Sequence, residues 1–243
     1  MQRLMLLILL ILFPLIASAG KIDDALVRAG LTEKQPPVGD ITKERFVKYD
    51  FYRVELKDNK LFIGPIDRSE VHTLATSELQ FDGFKLVGTD KGEWGGDLTL
   101  YSPKGKTQVL LKGNINKILR FRNSIYVITG LAHMGENRGN VLKLLNLETN
   151  PKIERITLLP AAPVAAITDE NNIYILTIDG LLSLEYQDDD FRLRIIANNA
   201  PWSWQLPNSL VKIDNAFIVG MHSGVIVVRD EGGGKFSFRF YGK

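Results

Sequence analysis

Short apolar segments alternate with polar turns along most of the chain, and one pattern recurs four times. In each repeat an apolar strand meets a tight polar turn, a second apolar strand centred on an aromatic residue follows, and two more strands come after a Gly-rich loop. A four-stranded repeat of about 40–45 residues is typical of the blades of a β-propeller. The central aromatic residues, 42, 48 and 43 residues apart, are Phe84, Tyr126, Tyr174 and Phe217.

The hydrophobic pattern also changes from the inner to the outer strands of each repeat. We label the four strands a to d in chain order. The b strands are nearly all apolar, which is typical of a strand covered on both faces, whereas the c and d strands alternate, as in residues 236–240. Radially packed blades require this gradient from buried to exposed strands. The b strands are predicted at 84–88, 125–129, 173–177 and 216–220.

Three further strands, at 50–56, 61–66 and 71–75, are predicted before the first repeat. With the four complete repeats they predict an all-β fold, a β-propeller of five blades. The alternative is a β-sandwich built from the same hairpins, but sandwiches seldom show a fixed long period. A short helix is predicted over 22–30, because acidic residues lie in its first turn and Gly30 can end it.

The first 19 residues have the pattern of a secretory signal peptide. Arg3 precedes an apolar run over 4–16, and the small residues 17–19 form a cleavage site. An uncleaved N-terminal anchor is the alternative. The predicted organisation is therefore a signal peptide (1–19), a leader containing the helix (20–45) and a propeller domain (46–243), and the expected location is periplasmic or secreted.

Composition narrows the function classes. The chain of 243 residues has no cysteine, which excludes disulfides, a cysteine nucleophile and cysteine-bound zinc. Lys and Arg number 30 against 28 Asp and Glu, so no electrostatic signature of nucleic-acid binding is present. We expect a protein partner, no nucleic acid, and no membrane span after signal cleavage.

Unusual residues are predicted on one set of loops. In an up-and-down blade the b–c and d–a loops share a face, and loops on a rigid scaffold often carry function. Exposed Trp side chains anchor partners, so this face is the predicted binding site. The alternatives are that the Trp residues cap the blades as core and that the His residues are buried and structural. The predicted binding residues are Trp94, His133, Trp202, Trp204 and His222.

Motifs for catalysis and cofactors are mostly missing. The chain has no Gly-x-Ser-x-Gly, no Walker loop and no His-Glu-x-x-His, and Asp188–Asp190 lacks the downstream Glu of an EF-hand loop. We therefore expect no cofactor and no metal. A hydrolase or lyase is the alternative, with the histidines acting beside carboxylates around the channel. Those carboxylates are Glu93, Asp97, Glu136 and Asp179.

One segment carries a resemblance to known propellers. Residues 172–184, Asn-Ile-Tyr-Ile-Leu-Thr-Ile-Asp-Gly-Leu-Leu-Ser-Leu, resemble the repeats of quinoprotein-type and WD40-type propellers, and the resemblance extends loosely over 78–241. The Gly-His and Trp-Asp signatures of WD40 repeats and a tryptophan-docking motif are missing, so no quinone cofactor is implied. We expect an exported, non-catalytic propeller that binds a protein partner or ligand, for example a periplasmic inhibitor or immunity protein. A structural role within an envelope assembly is a further alternative.

Overall fold

The computed structural model describes residues 20–36, 50–67 and 75–243. The predicted signal peptide and residues 71–74 of the third predicted N-terminal strand lie outside the described residues. Within them, no helix is long and apolar enough to cross a membrane. The described chain contains a helix, α1, at 20–28, and a short 3₁₀ turn at Gly92–Trp94.

Strands make up most of the described residues. They are β1 (Thr32–Lys34), β2 (Phe51–Lys57), β3 (Lys60–Ile66), β4 (Ala75–Phe81), β5 (Phe84–Asp90), β6 (Asp97–Tyr101), β7 (Thr107–Lys112), β8 (Ile115–Phe121), β9 (Ser124–His133), β10 (Glu136–Leu145), β11 (Lys152–Leu159), β12 (Pro163–Thr168), β13 (Asn172–Thr177), β14 (Gly180–Gln187), β15 (Asp190–Asn198), β16 (Ser209–Ile213), β17 (Ala216–Met221), β18 (Gly224–Gly232) and β19 (Lys235–Gly242).

The chain divides into two compact units. The described part of unit 2, which spans 72–203, contains three antiparallel four-stranded sheets. The first sheet runs β4-β5-β6-β7, the second β8-β9-β10-β11 and the third β12-β13-β14-β15, each in chain order. These sheets have the predicted a–d order, and they confirm the all-β propeller class. The number of blades stays a prediction.

Apolar side chains from neighbouring sheets form the core of unit 2. The inner strand β9 contributes Val127 to a cluster with the first sheet and Ile128 to a cluster with the third, and both side chains are fully buried. Because alternate residues of a strand point to opposite faces, β9 is covered on both sides. Coverage on both faces explains why the sequence of the b strands is almost continuously apolar.

Polar side chains connect the innermost strands of these sheets. The backbone N–H of Ile118 in β8 donates a hydrogen bond of 2.8 Å to the Ser77 hydroxyl of β4. Asn116, also in β8, donates its side-chain amide to the carbonyls of Pro163 (3.2 Å) and Val164 (3.1 Å). Backbone groups on the free edge of an inner strand thus find partners in the adjacent sheet.

Unit 1 contains the described parts of 1–71 together with 204–243. Its strands form a five-stranded sheet in the order β1-β19-β18-β17-β16 and a two-stranded sheet of β2 and β3. Helix α1 packs Ile22 and Leu26 into the core of this unit. The helix ends at residue 28, two residues before the predicted end. Gly30 follows the C-cap residue and adopts a left-handed conformation, with φ of +68°, which ends the helix.

One local prediction was wrong, and one strand was not predicted. The predicted loop 130–140 is a hairpin, in which β9 continues to His133 and β10 starts at Glu136, because their backbones pair in an unbroken ladder. Strand β1 was not predicted from the sequence, since its three exposed residues become a strand only by pairing with β19.

We predict that Ser77→Ala lowers the free energy of unfolding by about 1–3 kcal/mol, because the buried N–H of Ile118 loses its acceptor. Urea denaturation followed by circular dichroism measures the change. Thr107→Ala, which removes an exposed hydroxyl from an outer strand, is the control and should change stability by less than about 0.5 kcal/mol. Equal stability of the Ser77 variant and the wild type would contradict the role of the hydroxyl.

Candidate functional site

Trp94 ends a tight turn that follows β5. The Asp90 carboxylate accepts a hydrogen bond of 2.9 Å from the backbone N–H of Gly92, and Lys91 N–H donates to the Gly95 carbonyl at 2.7 Å. Burial raises the pKa of the Asp90 carboxyl, and the hydrogen bond from Gly92 lowers it by less. The turn is therefore held by the Asp90 side chain and by a hydrogen bond of its own backbone. Trp94 projects from it with 81% of its surface exposed.

The second projecting segment is the hairpin between β9 and β10. Its two-residue turn consists of Met134 and Gly135, with φ of 46° and 90°. This is the backbone of a type I′ turn, a position that favours Asn, Asp or Gly. The left-handed conformation costs an ordinary residue roughly 1–2 kcal/mol. Met134 is also 93% exposed, so its side chain packs against little of the described fold.

A contact between His133 and Glu93 joins the turn to the hairpin. The His133 Nε2 atom lies 3.2 Å from a Glu93 carboxylate oxygen, and both side chains are half-exposed. Trp94 follows Glu93 in the chain and Met134 follows His133, so the contact holds the two exposed apolar side chains on adjoining segments. We call Glu93, Trp94, His133 and Met134 the Trp94–Met134 surface.

A groove of about 670 Å³ opens between the first and second sheets, and Glu93 forms part of its wall. Strands β9, β10 and β11 form one side of the groove, and the end of β7 with the following loop forms the other. Its lining is mixed, with cationic, anionic, apolar and bare backbone parts. The lining residues include Gly92, Lys112, Asn114, Arg138, Arg155 and Leu158.

Trp202 and His222 were predicted on the binding face, but both are buried. Trp202 lies in the core of unit 2, where its indole N–H donates to the Thr177 carbonyl at 3.3 Å. His222 lies in unit 1, with its ring centroid 4.8 Å from that of Phe51 and its backbone N–H donating to the Gln205 carbonyl at 2.7 Å. Both positions fit the buried, structural alternative, because neither side chain is exposed to a binding protein.

The other three predicted residues reach the surface. Trp94 and His133 come together in unit 2, whereas Trp204 lies in unit 1 and is 64% exposed. The sequence did not single out Met134, because its importance depends on a backbone conformation that only the hairpin imposes. An apolar residue directly before Gly135 was the one available signal.

One of the four candidate carboxylates, Glu93, contacts a histidine. Among the described residues no group of three His, Asp or Glu side chains lies close enough to hold a metal ion. The other three carboxylates contact different residues: Glu136 with Arg138 (3.0 Å), Asp97 with Lys112 (3.8 Å) and Asp179 with Asn137 (3.2 Å).

Comparisons with known proteins add no functional residue. No family model and no curated protein matches the chain. Among solved structures the chain is similar to the N-terminal domain of Nup159, with a TM-score of 0.46, 10% identity, and coverage of 67% of this chain and 46% of that one. It is also similar to a chain in the structure of S. cerevisiae Dbp5 bound to Nup159, Gle1, IP6 and ADP (TM-score 0.45, 10% identity, coverage of 67% of this chain and 46% of that one). This chain therefore spans less than half the length of the chains it matches.

We predict opposite outcomes for two of the tryptophans. Trp202→Ala should lower the free energy of unfolding by about 3–5 kcal/mol, because it empties a fully buried site and removes the donor to Thr177. Trp204→Ala is the matched control and should change stability by less than about 0.5 kcal/mol, because its side chain is exposed. Thermal and urea denaturation measure both, and similar losses would contradict these placements.

Proposed function

We propose that the chain is an exported, non-catalytic β-propeller protein that binds a protein partner through the Trp94–Met134 surface. The observation that carries this proposal is the exposure of Met134 in a left-handed turn position beside the exposed Trp94. Both features work against folding and solubility when the chain is alone. Strained residues of this kind cluster at binding sites, where a partner compensates for them.

The residue types suit protein recognition. Trp is enriched among the residues that contribute most to binding energy, and Met adapts its flexible thioether to irregular apolar surfaces. Both side chains project from backbone segments that are fixed by hydrogen bonds and by the sheets. A pre-ordered surface loses less conformational entropy on binding than a flexible loop does.

A periplasmic inhibitor or immunity protein is the specific form of this function that we propose. A narrow projecting hairpin on a rigid sheet suits the blocking of a cleft in an enzyme or toxin. Export rests on the predicted signal peptide over 1–19, and the mass of the mature chain tests whether cleavage follows Ala19.

We predict that Trp94→Ala weakens partner capture at least tenfold, because a central Trp anchor contributes more than about 1.4 kcal/mol. Met134→Asn should also weaken capture while stabilising the fold by up to about 1 kcal/mol, since Asn tolerates the left-handed turn. Capture from an envelope extract with quantitative mass spectrometry, alongside urea denaturation, measures both effects.

Val109→Asn is the matched control for the Met134 variant, because Val109 is an exposed apolar residue on an outer strand. It should capture the same proteins as the wild type does. Unchanged capture by the double variant of Trp94 and Met134 would show that the surface is not the binding site.

The contact between His133 and Glu93 favours a second candidate, a hydrolase or lyase. A histidine held by a carboxylate is the arrangement of a general base. If this candidate is right, the wild type will turn over at least one substrate in a panel of chromogenic esters and glycosides, and His133→Gln will abolish that turnover. We expect no turnover by either protein. Turnover by the wild type that is lost in His133→Gln would overturn the non-catalytic proposal.

A further inference from the structure

Strand β15 is the outer strand of the third sheet, and no other strand of the described chain pairs with its free edge. A two-residue turn at 188–189, with φ of 52° and 62°, joins it to β14, so the flanking residue Asp190 is hydrogen-bonded to β14. Residues of an antiparallel strand alternate between its two neighbours. The backbone N–H and C=O groups that point away from β14 are therefore those of Phe191, Leu193 and Ile195.

Most of this outward row of donors and acceptors is unused. The Phe191 N–H donates to the carboxylate of the preceding residue at 2.7 Å, which agrees with its outward direction. The N–H groups of Leu193 and Ile195 have no hydrogen-bond partner within the described part of the chain. Their side chains are 38% and 53% exposed, and they lie opposite the buried residues Leu184 and Leu182. The free edge therefore extends an apolar face of the sheet.

The edge of β15 is regular over a longer stretch than the edges of the other outer strands in unit 2. Bulges blunt sheet edges, because they interrupt the ladder that another strand would have to follow. In β7 a bulge leaves no longer regular run than 107–109, and in β11 a bulge divides the strand into 152–155 and 157–159. In β15 the bulge lies near the far end, so 190–195 pairs with β14 without interruption.

The chain already contains one strand that is added to an outer edge. In unit 1, β19 is regular over 236–242, and β1 pairs with its last three residues. All residues of β1 are exposed and polar, so backbone hydrogen bonds hold it, together with a contact of 3.5 Å between Glu33 and Arg239. The β15 sequence Phe-Arg-Leu-Arg-Ile (191–195) repeats the alternation of Phe-Ser-Phe-Arg-Phe (236–240) in β19. The outer edges of β19 and β15 are thus alike, and the first is occupied.

We propose that β15 binds an extended segment of a protein partner, which adds to the third sheet as a fifth strand. The backbone of the segment accepts hydrogen bonds from the N–H groups of Leu193 and Ile195 and donates to their carbonyls. Every second side chain of the segment is apolar and packs beside these two residues. This interaction goes beyond the proposed function, because it does not depend on the Trp94–Met134 surface.

Backbone chemistry selects the occupant of this edge. A donor and an acceptor repeat together every two residues, about 6.8 Å along the strand. An extended peptide presents the complementary row at the same repeat, which is the basis of strand addition. A second copy of β15 suits the edge poorly. In two-fold pairings centred on residue 192, 193 or 194, an arginine of one copy lies opposite an arginine of the other, and like charges directly opposite each other are destabilising.

Amide hydrogen exchange measured by NMR tests whether the edge is open in the free chain. We expect the amides of Leu193 and Ile195 to exchange at least tenfold faster than those of Arg192 and Arg194, which are bonded to β14. Slow exchange at the two outward amides would show that the edge is already covered and would overturn the proposal.

A phage-displayed random heptapeptide library, selected on the immobilised wild-type chain, supplies the probe. We expect enriched peptides to have apolar residues at alternate positions. One such peptide should slow the exchange of the Leu193 and Ile195 amides at least tenfold. Leu193→Pro removes an outward N–H and no bond to β14, so this variant should fold and bind the peptide at least tenfold more weakly.

Ile195→Lys is a second variant, which keeps the backbone and places a cation on the apolar side of the edge. It should also bind the peptide at least tenfold more weakly. Val109→Lys, the same change at an exposed apolar residue of β7, is the matched control and should bind as the wild type does. Trp94→Ala should also bind normally, since its side chain lies outside the third sheet.

Four outcomes would overturn strand addition at β15: no enrichment, unchanged exchange of the outward amides on binding, equal binding by Ile195→Lys, or a dimer of the free chain that Leu193→Pro abolishes. If Trp94→Ala loses the peptides and Ile195→Lys keeps them, the peptides bind the Trp94–Met134 surface. In that case the inference about β15 is wrong and the proposed function stands.

Discussion

The inner edge of each sheet is the constraint on which the rest of the structure depends. An innermost strand has no neighbour on one side within its own sheet, and its N–H groups there must still find acceptors. Serine hydroxyls solve this problem in both units: Ser77 accepts from Ile118 in unit 2, and Ser209 accepts from Val54 in unit 1. These bonds join adjacent sheets through their edge strands.

Much of the fold could be predicted because local chemistry and the hydrophobic pattern agree. Asp82 and Gly83 have φ of 44° and 80°, the left-handed geometry that an Asp-Gly hairpin turn requires. The ends of β9 and β10 were not predictable, because Gly130 and Glu136 are weak strand formers that become strand by pairing across the hairpin. Where neither the hydrophobic pattern nor the turn residues indicate a strand, pairing with the neighbouring strand determines the structure.

The candidate site was harder to predict than the fold. Residue type alone cannot distinguish the exposed Trp94 from the buried Trp202, because the indole suits both a binding anchor and a core with a carbonyl acceptor. Met134 was missed for a different reason. It matters through its φ angle, and that property does not exist until the strands have paired.

One short turn connects the proposed binding surface with a buried side chain of unit 2. Gly92 fixes the Asn114 amide through its carbonyl, Glu93 contacts His133 on the hairpin, and Trp94 projects outward. Three successive residues thus orient a buried amide, brace the hairpin and present an anchor. A partner that displaced Trp94 would also move the carbonyl that orients Asn114. The backbone of this turn therefore fixes an exposed anchor and a buried side chain at the same time.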